Sequence, residues 1–230
     1  KEAIKEIVAR GIQVVLVTGR HRDGTKKVIN ETGLDINNTP LIINNGALIY
    51  LGEEIIWKDF LSEAEADEVI KYAAAIPGVA ITVCRPNDIY LYCSQPIDKD
   101  WLNNRLRAFE LTHSKKAGTP DELARDDVAK IMLIAESDEK ALRILQMWPE
   151  KISHLKHTRS YPYICEINSS KCDKGRGLKL LCKKLGILPE ELLAVGDGEN
   201  DISMLSFAKH AVFVRHGDHL PNLPSHVVVT

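Results

Sequence analysis

The chain has 230 residues, 44% of them hydrophobic and 27% charged, with a formal net charge of −2. This is the make-up of an ordinary globular chain, and its balanced charge gives no reason to expect nucleic acid or an anionic membrane as partner. No apolar run reaches the ~18 residues of a membrane span, and the five cysteines (Cys84, Cys93, Cys165, Cys172, Cys182), odd in number and without a Cys-x-x-Cys pair, point to buried thiols in a reduced, cytoplasmic compartment.

Ile4, Ile7 and Val8 share one face of a predicted helix over 1–10, which Gly11 stops. A buried strand follows at 12–17, then a helix over 21–32 ending at Gly33, then the strand Leu41-Ile42-Ile43. Fully apolar strands alternating with helices argue for a parallel sheet covered on both faces. From residue 47 the character changes. Segments 47–50 and 54–57 flank Leu51-Gly52-Glu53 as a hairpin. A helix over 62–76, strands at 80–84 and 89–93, a helix near 98–111 and a polar loop over 114–127 come next. Strand 128–135, helix 138–147 and strands near 152–158 and 162–167 complete the stretch. Strands joined by tight turns imply an antiparallel or mixed sheet, so residues 47–168 read as an insertion into the α/β domain formed by 1–46 and 169–230. The flanking pattern returns with helix 174–185, strand 192–195, helix 201–208 and strands 211–214 and 226–229. A chain that opens inside a helix at Lys1 and ends at Thr230, straight after a strand, is expected to be a piece of a longer one.

Three segments at strand ends or helix starts carry chemistry. Asp197 and Asp201 lie in Gly196-Asp197-Gly198-Glu199-Asn200-Asp201, between the apolar run 192–195 and a helix. Ligands collect at the carboxyl ends of strands in open α/β sheets. Two carboxylates ~4 Å apart repel by roughly 4 kcal/mol at an effective dielectric of about 20. A hard cation removes that repulsion, and Mg²⁺ suits a few carboxylates plus a phosphate. Val17-Thr18-Gly19-Arg20 offers a hydroxyl, a close backbone approach and the start of a helix, where N–H groups face anions. Asp173-Lys174-Gly175 sets a lysine in the first turn of a helix, where the macrodipole disfavours it. A hydroxyl, a cation and an acid pair together form a constellation that handles phosphate. Cys172 with His154 or His157 has no diagnostic zinc spacing.

The order Thr18-Gly19-Arg20, Lys174-Gly175, Gly196-Asp197-x-x-x-Asp201 resembles motifs II, III and IV of the haloacid dehalogenase (HAD) phosphohydrolases. The run from Gly196 to Leu205 is similar to the Cof-type branch with a C2B cap, and Asn45-Gly46-Ala47 resembles that branch's passage from core to cap. The resemblance spans nearly the whole chain. It implies a Rossmann-like parallel-sheet core (1–46 and 169–230) with an inserted α+β cap (47–168). It also implies Mg²⁺-dependent hydrolysis of a small phosphate monoester, a sugar phosphate or a phosphorylated cofactor, through an aspartyl phosphate. Thr18 and Lys174 would be catalytic. Thr18, Gly19, Arg20, Lys174 and Asn200 would bind phosphate, and Asp197 and Asp201 would serve the metal. Asn45, Arg85 and Arg159, with Asn87, Tyr90 and Tyr163, are candidate substrate contacts. The chain would act as a monomer or homodimer. The family nucleophile lies in an Asp-x-Asp-Gly-Thr loop expected upstream of Lys1. Asp23-Gly24-Thr25 sits inside the expected second helix and Asp98-Lys99-Asp100 at a helix start, so neither replaces it. A non-catalytic phosphate-binding or regulatory protein without the nucleophile, and a phosphomutase on the same scaffold, are the alternative readings.

Overall fold

The structure is a computed structural model that describes residues 2–109, 111–216 and 221–230. Lys1 and Glu110, which the sequence reading puts in helices, lie outside that set. The elements run α1 (Glu2–Ala9), β1 (Leu16–Val17), α2 (Arg22–Thr32), β2 (Leu41–Ile43), β3 (Leu48–Leu51), β4 (Glu54–Lys58), α3 (Glu63–Ala74), β5 (Val79–Cys84), β6 (Ile89–Cys93) and α4 (Lys99–Ala108). They continue with β7 (Lys115–Lys116), β8 (Lys130–Ala135), α5 (Asp138–Gln146), β9 (Lys156–Tyr161), β10 (Ile164–Asn168), α6 (Lys174–Leu185), β11 (Leu193–Gly196), α7 (Ile202–Phe207), β12 (His210–Phe213) and β13 (Val227–Val229). The class is α/β, as the alternation predicts. No helix among the described residues is long and apolar enough to cross a membrane.

The flanking segments build two sheets. One has the order β1-β2-β3-β4, with β1 and β2 parallel and the rest antiparallel; the other, β11-β12-β13, is parallel throughout. Ile42 and Ile49 of the first sheet pack on Leu178, Leu181 and Cys182 of α6, which also meet Met204 of α7. On the opposite face, Leu41, Ile43, Leu48 and Tyr50 pack with Ile29 of α2. The hairpin Leu48–Lys58, which the sequence reading assigns to the insertion, is hydrogen-bonded to β2 and continues this sheet.

The strand expected over 12–17 narrows to Leu16–Val17, and Ile12 is exposed. The reason is pairing on one side only: among the described residues β1 meets β2 alone and β11 meets β12 alone. The face of β11 that carries Leu193 and Val195 is uncovered, with the two side-chain-bearing residues 63% and 53% exposed. Apolar strands with free edges invite a partner.

Residues between β4 and α6 form a six-stranded sheet, β7-β6-β5-β8-β10-β9, antiparallel except where β6 meets β7. Side chains alternate along its strands. Ile81, Val83, Ile131, Leu133, Cys165 and Ile167 face α3 and α5, whereas Ala80, Cys84, Met132, Ile134 and Ile164 face α4. Ser62 caps α3 in a reciprocal capping box with Glu65, and Asp98 caps α4 by accepting from the Trp101 N–H at 2.6 Å. Asp98 is thus a helix cap, and Asp23 sits in the first turn of α2, 2.7 Å from the Lys26 ammonium. The polar loop over 114–127 holds β7 and a short 3₁₀ turn at Pro120–Glu122, and the strand expected near 152–158 begins only at Lys156, after a 3₁₀ turn.

The crossing points are tied by buried polar groups. The Asn168 side-chain amide donates to Asn44 O (3.1 Å) and Ala129 O (2.9 Å), and the Ser169 hydroxyl donates to Asp59 (2.6 Å). Helices α6 and α7 approach so closely that a Cβ on Gly175 would stand 2.3 Å from the Ser203 carbonyl oxygen. Backbone against backbone leaves no flexible atom to yield, so Gly175→Ala should lower the urea unfolding free energy by ~1–3 kcal/mol or more. An unchanged midpoint would contradict this packing.

Candidate active site

The carboxyl end of β1 is held by its neighbour. The Thr18 N–H donates to Ile42 O (2.8 Å), and the Thr18 carbonyl accepts from the Asn45 N–H (3.1 Å). The Thr18 hydroxyl accepts from the Arg20 N–H at 3.2 Å. Glycine leaves room next: a Cβ at position 19 would lie 2.7 Å from Asn45 Oδ1, so a larger residue there would push the Asn45 side chain aside. The Asn45-Gly46-Ala47 passage also has a local cause. Asn45 adopts φ 61° and Gly46 φ 102°, and a Cβ on Gly46 would fall 2.3 Å from the Asp173 carbonyl oxygen. That left-handed step lets the chain turn against the start of α6.

Asp173 caps α6 by accepting from the Arg176 N–H (2.7 Å), which sets Lys174 in the first turn with its side chain pointing inward. Lys174 Nζ donates to Asp201 Oδ1 at 2.6 Å, with the residues 6% and 4% exposed. The other oxygen, Asp201 Oδ2, accepts from the Asp197 and Gly198 N–H groups, both at 3.0 Å. Asp201 therefore has protein donors on both oxygens and shapes the loop after β11. Gly196 makes room for it, since a Cβ there would be 2.5 Å from the Asp201 Cβ. The Asp197 carboxylate is exposed, with His216 Nε2 3.4 Å away.

Asn45 joins the segments. Its amide nitrogen donates to Glu166 Oε2 (2.9 Å) and Asn168 Oδ1 (3.1 Å), and its oxygen accepts from Asn200 Nδ2 (3.4 Å). The loops carrying Thr18, Gly19, Asn45, Asn200, Asp201 and Lys174 thus touch through one chain of side-chain contacts. Lys130 and Glu166, also buried, belong to the same cluster: Lys130 Nζ donates to Gly19 O (2.6 Å) and to Glu166 Oε1 (2.8 Å). The sequence reading missed both. The signal was there, because each is the sole charge within an apolar strand run, Ala129–Ala135 and Ile164–Ile167.

The remaining candidates divide. Arg85 and Asn87 line a cavity of about 380 Å³ with His21, Arg22, Lys26 and Glu53, between the start of α2 and the β5–β6 turn. There Arg85 pairs with Asp126 (2.8 Å) and Arg22 with Glu53 (2.8 Å). Arg159 is not brought to the cluster. It bonds Asp138 at the start of α5 and Pro162 O, on the sheet face opposite Glu166. Tyr163 stacks under Arg105, 3.9 Å from guanidinium to ring centre, and Tyr90 under Lys115. Burial pushes the Cys172 thiol up to about 12 and the Cys84 thiol up to about 11, so neither offers a thiolate near neutral pH. All five cysteines are free.

Residues 1–222 match the sequence model of the haloacid dehalogenase-like hydrolases. A protein of Streptococcus pyogenes serotype M6 that carries the name of a phosphatase is 26% identical, the match covering 94% of this chain and 79% of that protein. The chloroplastic endoribonuclease YBEY of Arabidopsis thaliana is also 26% identical over 94% of this chain, but the chain spans only 38% of its length. Among solved structures, a HAD subclass IIB sugar phosphatase superposes with a TM-score of 0.75 at 22% identity, covering 93% of this chain and 78% of that one. A haloacid dehalogenase-like hydrolase of B. subtilis gives 0.74 at 25% identity, over 93% and 81%.

The two loop acids should separate in a stability measurement. Asp201→Ala leaves the Lys174 ammonium buried and unpaired, which should cost ~3–5 kcal/mol in denaturant unfolding. Asp197→Ala, at an exposed position, should stay within about 0.5 kcal/mol of the parent. Equal losses would refute the assignment of Asp201 as the organiser.

Proposed function

This chain belongs to the haloacid dehalogenase-like hydrolases, and we propose that it hydrolyses small phosphate monoesters, such as sugar phosphates or phosphorylated cofactors, with Mg²⁺. The observation that carries the reading is the buried Lys174–Asp201 pair, joined through the Asp197–Asp201 loop and Asn200 to Asn45 and the Thr18–Gly19 turn. Phosphoryl transfer asks mainly for positioning and charge stabilisation. A fixed ammonium, a hydroxyl and backbone N–H groups at the ends of strands supply those. In this reading Thr18 and the Gly19 and Arg20 N–H groups hold the phosphoryl oxygens, Lys174 offsets their charge, and Asn200 supports them. A parallel strand pairing with the edges of β1 and β11 that no described strand covers would bring the Asp-x-Asp-Gly-Thr loop. Its first carboxylate would attack phosphorus, forming an aspartyl phosphate as the ester P–O bond breaks. The second would give a proton to the leaving oxygen, and water would then release inorganic phosphate.

Among the described residues no group of three or more His, Cys, Asp or Glu side chains could hold a metal. Mg²⁺ asks for less from a protein: one or two carboxylates, with waters and phosphate oxygens completing its shell. The exposed Asp197 fits one of those places, and a carboxylate of the proposed upstream loop fits another. Bound there, the ion would draw charge from the phosphoryl oxygens. The cavity lined by Arg85 and Asn87 would take the leaving group, at a size suited to a small molecule. Free, mostly buried cysteines suit a reducing compartment such as the cytoplasm. Nucleic acid and membrane are not required partners in this reading, and a monomer or homodimer would suffice.

The test is the full-length protein on an aryl phosphate with Mg²⁺, then with EDTA. Turnover should stop in EDTA and in Asp197→Asn. Lys174→Ala should lower kcat by more than tenfold, about 1.4 kcal/mol. Binding of inorganic phosphate without turnover would favour the non-catalytic reading, and unchanged rates in EDTA would remove the metal.

A further inference from the structure

We propose that Lys130 and Glu166, contributed by the inserted sheet, are positioning residues that aim the phosphate-binding turn of the core; this rests on the phosphatase reading above. Both are buried, at 2% and 5% exposure. They project from neighbouring antiparallel strands: Glu166 faces Met132, and Lys130 lies two residues along on the same side. Lys130 Nζ has two acceptors, Glu166 Oε1 at 2.8 Å and the Gly19 carbonyl oxygen at 2.6 Å. The second contact is the informative one. An ion pair that only glued the insertion together would not need to grip a core backbone carbonyl 111 residues away.

The geometry of the peptide supplies the function. In a trans peptide the C=O and the following N–H point in opposite directions within one plane. Fixing Gly19 O on Lys130 therefore fixes the Arg20 N–H on the other side, where it meets the Thr18 hydroxyl at 3.2 Å. A cation on the carbonyl also polarises the unit and strengthens that N–H as a donor. Glu166 does the same job on a second segment. Its Oε2 accepts from Asn45 Nδ2, which leaves Asn45 Oδ1 turned toward Gly19 and Asn200. The two oxygens of one carboxylate are thus divided between the Thr18–Arg20 turn, through Lys130, and the Asp197–Asp201 loop, through Asn45. Neither Lys130 nor Glu166 needs to touch substrate.

Lys130→Met alone strands a buried carboxylate and endangers the fold. The deciding variant is K130M/E166Q in the full-length protein, which removes both charges at similar volume. Its inhibition constant for inorganic phosphate should rise at least tenfold and kcat/KM for an aryl phosphate should fall at least tenfold, while thermal unfolding stays cooperative. A folded double variant with both constants within twofold of the parent overturns the inference and leaves the phosphatase reading intact. A parent that neither hydrolyses the ester nor binds phosphate overturns both. A measurement free of substitutions is the Lys130 ammonium signal in ¹⁵N NMR of the parent. It should exchange slowly and shift on saturation with inorganic phosphate; a signal indifferent to phosphate counts against the coupling.

Discussion

The Asp201 carboxylate is the point on which the shape of the loop after β11 and its seat against α6 depend. It takes three donors: the Lys174 ammonium on one oxygen and two backbone N–H groups on the other. The two N–H groups bend the chain after β11 into a tight loop, and the ammonium fixes that loop against α6. An ion pair this buried costs several kcal/mol of desolvation per charge, and its Coulomb attraction offsets that only when hydrogen bonds satisfy the remaining lone pairs. Asp201 meets the condition. Removing any of its three donors would leave a buried charge or a misplaced loop, so the sequence around it has little freedom. Gly196 must lack a side chain to admit it, and Gly175 must lack one so that α6 can lie against α7.

With that centre fixed, the Asp197 carboxylate follows. Adjacent residues of the loop cannot all face inward, and the carboxylate that does not bind Lys174 is left at the surface, beside His216. Two acids four residues apart thus differ in environment, one with three protein donors within 3.0 Å and the other exposed beside His216. The repulsion expected between two bare carboxylates is relieved here by Lys174, which sits with one of them.

Much of this was legible in the chain. Alternating apolar strands and helices pointed to parallel pairing, which holds for β1–β2 and for β11-β12-β13, and tight turns between strands pointed to antiparallel pairing, which holds for most of the six-stranded sheet. Thr18, Lys174 and the Gly196–Asp201 loop stood out because polar residues and glycines interrupt apolar periodicity where strands end. Two things were not legible, each for a physical reason. Strand length failed at residues 12–15, because periodicity reports burial against a partner, and among the described residues β1 has one on a single side. Pairing across distance failed too. The apolar hairpin Leu48–Lys58 looks the same whether it joins the insertion or extends β2, and only its register on β2 decides. Arg159 illustrates the converse: an arginine near a hairpin turn looks available, yet its guanidinium is taken by Asp138 and a backbone carbonyl.

Lys130 and Glu166 show where sequence reasoning could have gone further. A single charge inside an apolar strand is costly unless paired. Two such charges of opposite sign, in strands that the turn pattern sets side by side, call for each other. What no pattern could supply is the third partner, the Gly19 carbonyl, because a backbone acceptor leaves no mark in the sequence. That contact joins the inserted sheet to the core at the turn after β1, and Asn45 and Asn168 join it at the crossing point. A tilt of the insertion about that crossing would pull on Gly19 and Asn45 together. The insertion and the turn after β1 are therefore tied by direct hydrogen bonds, buried between Asn45 and Glu166 and part-buried between Lys130 and the Gly19 carbonyl.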